Sequence, residues 1–311
     1  MFSNPLFGLR AAAESATSAD LVLVAADRYP LAARLWASRA SPVTTAVINA
    51  GAGINMRYYD RFAHFLAESG IPTLLYDYRG IGRSRPKALR GFVASVEDWG
   101  SKDCAAALER MSAEFPGARR VIIGHSVGGF VTGFVTNGSK IDRMLLVGAH
   151  TGYWRDYAVR QRAAMYLLWH TLMPAVTRVV GYFPGRTLHL LDDLPAGVAL
   201  EWANRKRADF WWNRAAADGT PDTQWRDRML GRFLAIRAPT LALRFTDDAF
   251  ATEAATTRIL GLYQNCPATS LVLGPDDVGG QKIGHFGFFR ARFRETLWPR
   301  ALAWLVDSES E

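Results

Sequence analysis

Apolar and polar positions along the chain switch repeatedly between two spacings, and the switching predicts an architecture. After about twenty polar and small residues, the β-type runs 21–26 and 31–37 flank turn-forming residues 27–30, which predicts a hairpin. The β-branched run 43–50 (VTTAVINA) ends at Gly51 and predicts a buried strand followed by a tight turn. Tyr58, Phe62, Phe65 and Leu66 then recur at helical spacing, with Asn55 placed to cap that helix and Gly70 to close it. The rhythm continues with strands at 73–78, 120–124 and 143–147 and helices at about 96–115 and 127–136. Strands separated by helices of this length predict an α/β fold, a mostly parallel sheet with helices on both faces.

From about residue 151 to 236 the rhythm breaks. This stretch has no strand pattern, carries several Arg–Asp interruptions, and holds six of the chain's ten tryptophans, which predicts a helical insertion. The alternation resumes with a strand at 240–245, a helix at 253–262, a strand at 269–273 and a final helix over about 288–306. The expected organisation is a core domain of residues 1–150 and 237–311 with a helical cap at 151–236. No internal repeat interrupts it.

Composition changes this picture little. The 311 residues, 49% apolar and 21% charged, suit one large α/β domain carrying an insertion. Cys104 and Cys266 make neither a metal spacing nor a disulfide framework, so two buried free thiols and a reducing compartment are expected. The first twenty residues lack the basic start and continuous apolar stretch of a signal peptide. The nearest approach to a membrane span, 163–173, is too short, so a cytoplasmic protein without an integral span is expected. The net charge of +8 raises the question of nucleic acid. The arginines are scattered, however, and the densest basic group, Arg205, Lys206 and Arg207, is small. Without an RNA-binding or helix-turn-helix signature, this charge reads as solvated surface and no nucleic-acid partner is expected.

Chemistry concentrates at a few places. Gly124-His125-Ser126-Val127-Gly128 matches G-x-S-x-G between a strand and a helix, the context in which a sharp turn lifts a serine to the carboxyl edge of a sheet. Side chains two residues before or after that serine would strike neighbouring backbone, which explains the glycines. The Ser126 hydroxyl needs a base. On such a turn the acid follows the serine and the histidine comes last. Of His150, His170, His189 and His285, only His285 follows a late strand that could supply the acid, and it lies in a glycine-flanked loop. The acid comes from LALRFTDDAF, where loop register favours Asp248 and leaves Asp247 as a turn or cap residue. Two N–H donors for an oxyanion are expected from Val127, just after the serine, and from Ala52, between Gly51 and Gly53.

On these residues the chain resembles the α/β-hydrolase superfamily over 20–150 and 237–306. Asp77-Tyr78-Arg79-Gly80-Ile81-Gly82-Arg83-Ser84 is similar to the D-x-R-G-x-G-x-S turn of many members, to which a structural role is given. Within the superfamily the chain is most similar to the branch of lysophospholipases, monoacylglycerol lipases and serine aminopeptidase-like hydrolases. That branch usually reads H-G-x-G where this chain reads Ala50-Gly51-Ala52-Gly53; a backbone donor does not need the missing histidine. The insertion takes the place of the family's variable cap. Of Trp154, Trp169, Trp202, Trp211, Trp212 and Trp225, most are expected to pack the cap onto the sheet and a few to line an apolar pocket. Residues and resemblance together imply a serine esterase or lipase-like hydrolase, without cofactor or metal, that cleaves a small apolar acyl substrate through an acyl-enzyme on Ser126. Acyl transfer by the same triad, cleavage of an amide, thioester or peptide, and a silent binding protein on the same fold are the alternatives.

Overall fold

The computed structural model describes residues 16–38, 41–208 and 219–307. Its strands, in chain order, are β1 (Thr17–Val24), β2 (Pro30–Ala37), β3 (Thr44–Asn49), β4 (Thr73–Tyr76), β5 (Arg119–His125) and β6 (Arg143–Val147). There follow β7 (Tyr182–Phe183), β8 (Leu194–Pro195), β9 (Thr240–Phe245) and β10 (Ala268–Leu273). Eight of them form one sheet in the order β1-β2-β4-β3-β5-β6-β9-β10. The hairpin β1–β2 and the pair β2–β4 are antiparallel, and every pairing from β4 to β10 is parallel. This is an α/β-hydrolase sheet, and its parallel block turns all its carboxyl ends toward one edge. β3, β4 and β6 are buried along their whole length, as expected of strands covered on both faces.

Several elements depart from the expectations. β1 begins at Thr17, ahead of the expected residue 21, because its first half (TSAD) is exposed at the sheet edge and carries no apolar signal. Asn55 stands before the turn Met56–Tyr59 and the helix Asp60–Glu68, but its side chain makes no capping hydrogen bond. The Met56 N–H goes instead to Asp77 Oδ1 at 2.7 Å, a partner from another loop. The terminal helix expected over about 288–306 is broken into a 3-10 turn Ala291–Phe293 and the helix Trp298–Val306. Pro299 has no N–H to give a preceding turn, so it begins a helix rather than continuing one.

The D-x-R-G-x-G-x-S turn after β4 fastens neighbouring segments together. Asp77 accepts from the N–H groups of Met56 and Arg83, and Arg79 reaches Asp103 at 2.7 Å and Asp27 at 2.6 Å. Asp103 belongs to the π-helical stretch Trp99–Cys104, which sits between Val96–Asp98 and the helix Ala105–Glu114. Trp99 stacks on Tyr78 at 4.6 Å and donates its indole N–H to the Arg79 carbonyl. Cys104 and Cys266 are buried, unbridged thiols.

The insertion after β6 holds the helices Val159–Leu167, Met173–Val180, Ala196–Ala203 and Thr223–Ala235, and also the small antiparallel pair β7–β8. No strand was expected there; two residues each are too few to show a period. The helix Thr223–Ala235 packs on the sheet domain, placing Phe233 against Phe130, Phe134 and Tyr263. Arg205, expected among solvated charges, is buried: its guanidinium lies 4.8 Å from the rings of Phe130 and Trp202 and donates to the Thr151 carbonyl. The planar, weakly hydrated guanidinium suits such an aromatic sandwich. Trp211 and Trp212 lie outside the described residues. Among the described residues no helix is long and apolar enough to cross a membrane.

Candidate active site

The site is built on the turn between β5 and the helix Val127–Thr132. Ser126 sits at its apex with φ 55° and ψ −126°, a left-handed conformation costly for a residue with a side chain. The surroundings hold it there. Ser126 N–H donates to the Val147 carbonyl at 3.0 Å, and the Ser126 carbonyl accepts from Gly129 at 3.2 Å. A Cβ on Gly124 would lie 2.6 Å from Gly129 Cα, and one on Gly128 would strike the Asn49 carbonyl oxygen and lie 2.7 Å from that of Ala50. The glycines on either side of the serine are thus required by backbone proximity.

Two other loops at the same edge complete the group. His285 lies in the turn Gly284–Gly287, and Asp248 follows β9. Ser126 Oγ is 2.9 Å from His285 Nε2, and His285 Nδ1 is 2.8 Å from Asp248 Oδ2. Asp248 Oδ1 accepts from the N–H groups of Phe250 (2.7 Å) and Ala251 (3.1 Å). Burial by itself would raise the Asp248 carboxyl, but the facing imidazole and these hydrogen bonds outweigh it and hold the group below the usual carboxylate range. An ionised Asp248 fixes the proton of His285 on Nδ1 and leaves Nε2 to accept from the serine. Asp247 is a different kind of residue. Its carboxylate accepts from the N–H groups of Ile283 and Gly284, each at 2.9 Å, and so fastens the histidine turn to the loop after β9.

Two further histidines, neither chosen from the sequence, lie at the serine turn, and one of them reaches the serine hydroxyl. His125 Nδ1 is 2.8 Å from Tyr59 Oη, which also accepts the Gly51 N–H at 2.9 Å, and His125 Nε2 donates to the His285 carbonyl at 3.0 Å. This buried relay joins the loop after β3 to the histidine turn. Complete burial, with His285 beside it, pushes the His125 imidazole down to about 3, so the ring is neutral. His150 Nε2 is 3.2 Å from Ser126 Oγ. Chain order excluded His150, because it precedes the acid. The available signal was its place directly beyond β6, whose carboxyl end opens beside that of β5.

The expected oxyanion donors flank the same space. Val127 is the first residue of its helix, so its N–H has no intrahelical acceptor. Ala52 lines the cavity with Ser126, while the Gly51 N–H beside it is taken by Tyr59. A Cβ on Gly51 would lie 3.4 Å from Ser126 Cβ, so this loop packs against the serine.

Above the serine is a cavity of about 880 Å³. Its floor carries Ser126, His150 and His285; its walls are mainly apolar, from Ile54, Tyr58, Phe250 and Phe286 of the sheet domain and Met165, Leu168, Trp169, Leu191 and Trp202 of the insertion. Trp169 and Trp202 therefore face the cavity, whereas the indole N–H groups of Trp154 and Trp225 donate elsewhere, to the Lys206 carbonyl and to Glu97. The roof is tied to the floor: Asp192 N–H donates to the Gly53 carbonyl at 2.8 Å, and the Asp192 carboxylate holds Arg186 and the Gly82 N–H. A Cβ on Gly53 would lie 2.6 Å from Leu191 Cδ1, so glycine here lets the roof close down on the Ala52 loop.

Sheet order, serine turn and inserted roof together define the α/β-hydrolase class. A family model described as serine aminopeptidase, S33, matches residues 40–205, more than half of the chain, and the protein belongs to that family of hydrolases. The matched span includes the serine turn and ends before Asp248 and His285. Among solved structures, the chain is similar to the esterase Pf2001 of Pyrococcus furiosus, with TM-score 0.57 and 14% identity over 94% of this chain and 92% of that one. It is also similar to the hypothetical protein PA2218 of Pseudomonas aeruginosa (TM-score 0.58, 15% identity, 96% and 95% covered). A thermophilic esterase from Thermogutta terrifontis gives TM-score 0.57 and 14% identity over 92% and 98%. At such identities the likeness is one of fold.

Proposed function

We propose that the protein hydrolyses carboxylic esters of small, apolar acyl substrates through an acyl-enzyme on Ser126. The observation that carries this reading is the chain from Ser126 to His285 to Asp248, at 2.9 and 2.8 Å, on the floor of a mainly apolar cavity. Ser126 Oγ attacks the carbonyl carbon as His285 Nε2 takes its proton, and Asp248 holds the His285 Nδ1–H and offsets the imidazolium charge. The Ala52 and Val127 N–H groups receive the oxyanion. As the tetrahedral species collapses, the bond to the alcohol oxygen breaks and His285 hands that oxygen its proton. Water then gives a proton to His285 and adds to the acyl carbon. The second collapse releases the acid, and Ser126 Oγ recovers its hydrogen from His285.

The lining chemistry favours an ester over an amino-terminal peptide. A peptidase acting at a free α-ammonium needs a carboxylate to meet that charge. Among the described residues the cavity wall offers one carboxylate, Asp192, already engaged by Arg186 and the Gly82 N–H. The test is a panel of p-nitrophenyl esters from acetate to dodecanoate, with alanine p-nitroanilide alongside. Turnover is expected for the esters, best beyond acetate, and Ser126→Ala is expected to lower it by about 10⁴-fold or more. Anilide turnover above ester turnover would replace this reading with a peptidase, and ester turnover that survives in the variant would remove Ser126 as nucleophile.

A further inference from the structure

His150 follows β6, the sheet neighbour of β5, so its ring meets the serine turn from the side opposite the Gly51–Tyr59 contact. Its Nε2 lies 3.2 Å from Ser126 Oγ, an oxygen that already has His285 Nε2 at 2.9 Å. A hydroxyl carries one hydrogen and can donate it to one of the two rings. Asp248 decides which, because it takes the Nδ1–H of His285 and leaves His285 Nε2 as a bare acceptor. His150 Nε2 must then carry a hydrogen of its own, since two lone pairs facing Oγ from both sides would leave one contact repulsive. The second nitrogen agrees. His150 Nδ1 is sealed from solvent without a hydrogen-bond partner among the described residues, and a stranded acceptor is more often tolerated than a stranded donor. The ring is enclosed by His285, Tyr157 and Trp202. Burial first, and the neighbouring His285 second, hold its proton affinity well below the ordinary value, so it stays uncharged.

We propose that His150 is a further catalytic residue, whose Nε2–H donates to Ser126 Oγ and stabilises the charge on that oxygen in both halves of the reaction. The inference rests on the acyl-enzyme reading above. Oγ gains negative charge as it attacks, and again as it is expelled from the second tetrahedral species. His285 moves the proton in each case, and the His150 N–H stays on its nitrogen throughout. Both acylation and deacylation are therefore served by one fixed donor, while ground-state binding of the substrate is not. Removing a short donor from a charge-developing site costs about 10²–10³ in kcat. At 3.2 Å the bond is at the long end of its range, and a loss of about 10- to 100-fold is expected.

The experiment measures the acylation and deacylation rate constants of wild type, His150→Phe, His150→Gln and Ser126→Ala with one p-nitrophenyl ester, together with melting temperatures. His150→Phe keeps a planar ring, one atom larger, and removes the donor. His150→Gln restores an N–H of about the same reach. The expected result is that the Phe variant slows both steps, with KM within about threefold of wild type, and that the Gln variant recovers most of the loss. His150→Asn, whose shorter amide stops short of Oγ, replaces the Phe variant if that protein does not fold. Wild-type rate constants in the Phe variant, a loss expressed in KM alone, or a Gln variant as slow as Phe at unchanged melting temperature would each overturn the proposal. In those cases an inactive Ser126→Ala leaves the acyl-enzyme reading standing. Activity that survives in Ser126→Ala would instead remove that reading, and this proposal with it.

Discussion

His125, His150 and His285 all meet the Ser126 turn, yet among the described residues only His285 faces a carboxylate. In the proposed mechanism that difference gives His285 the proton-carrying role. A positive charge on His285 is shared with Asp248, whereas one on His125 or His150 would be buried without a counter-ion. The same burial makes stability depend on pH. An unfolded histidine takes up its proton at about pH 6.5, while folded His125 does so only at about 3. Between these values the unfolded chain binds more protons, so stability falls as the pH is lowered and rises with pH. Urea unfolding between about pH 7 and pH 4 is expected to show this decline. His125→Asn should be less stable than wild type at neutral pH, because the Tyr59 relay is broken, but should lose stability less steeply on acidification. An unchanged slope would mean that the folded His125 titrates normally.

The strands and turns show which parts of the site can be read along the chain. β6 and β9 have the expected bounds, because strands covered on both faces are continuous apolar runs with turn residues at each end. The serine turn was legible for a related reason: glycines flank a position where backbone crowds backbone, and the strand before it is apolar. Ser126, Asp248 and His285 followed from that turn and from their order along the chain, and they are the residues the structure brings together. His150, Tyr59 and the fastening role of Asp247 were not legible. Each acts through a partner 24 to 66 residues away, and no local spacing encodes such a contact. The cap assigned to Asn55 failed in the same way, because Asp77 supplies it from another loop. The Asp77–Ser84 turn is where these connections matter for stability. Arg79 and Asp103 form a buried ion pair that also holds the β1–β2 turn through Asp27. Arg79→Met would leave Asp103 buried without its partner, and a loss of about 3–5 kcal/mol in urea unfolding is expected. A loss under about 1 kcal/mol would make the pair no more than a surface-type contact.

Over the whole molecule, the sheet provides one edge on which three loops converge, and the insertion provides the roof. The β7–β8 segment is fastened to the loop that carries Ala52 through the Asp192–Gly53 hydrogen bond. It is fastened to the Asp77–Ser84 turn through the Gly82 N–H, which donates to Asp192, and just beyond that turn through the ion pair of Arg85 with Asp193. Roof and floor thus share their anchoring points, and closing the cavity also shapes the loop expected to hold the oxyanion. A mainly apolar cavity above Ser126 suits acyl groups that water would otherwise surround. Every step of the proposed reaction passes through the nucleophilicity of Ser126. The most direct measurement is therefore labelling with a fluorophosphonate, followed by peptide mass spectrometry of wild type, Ser126→Ala and His285→Ala. A single adduct is expected on the peptide carrying Ser126, absent from Ser126→Ala and formed far more slowly in His285→Ala. An unlabelled wild-type protein, or an adduct on any other residue, would contradict the proposed reaction.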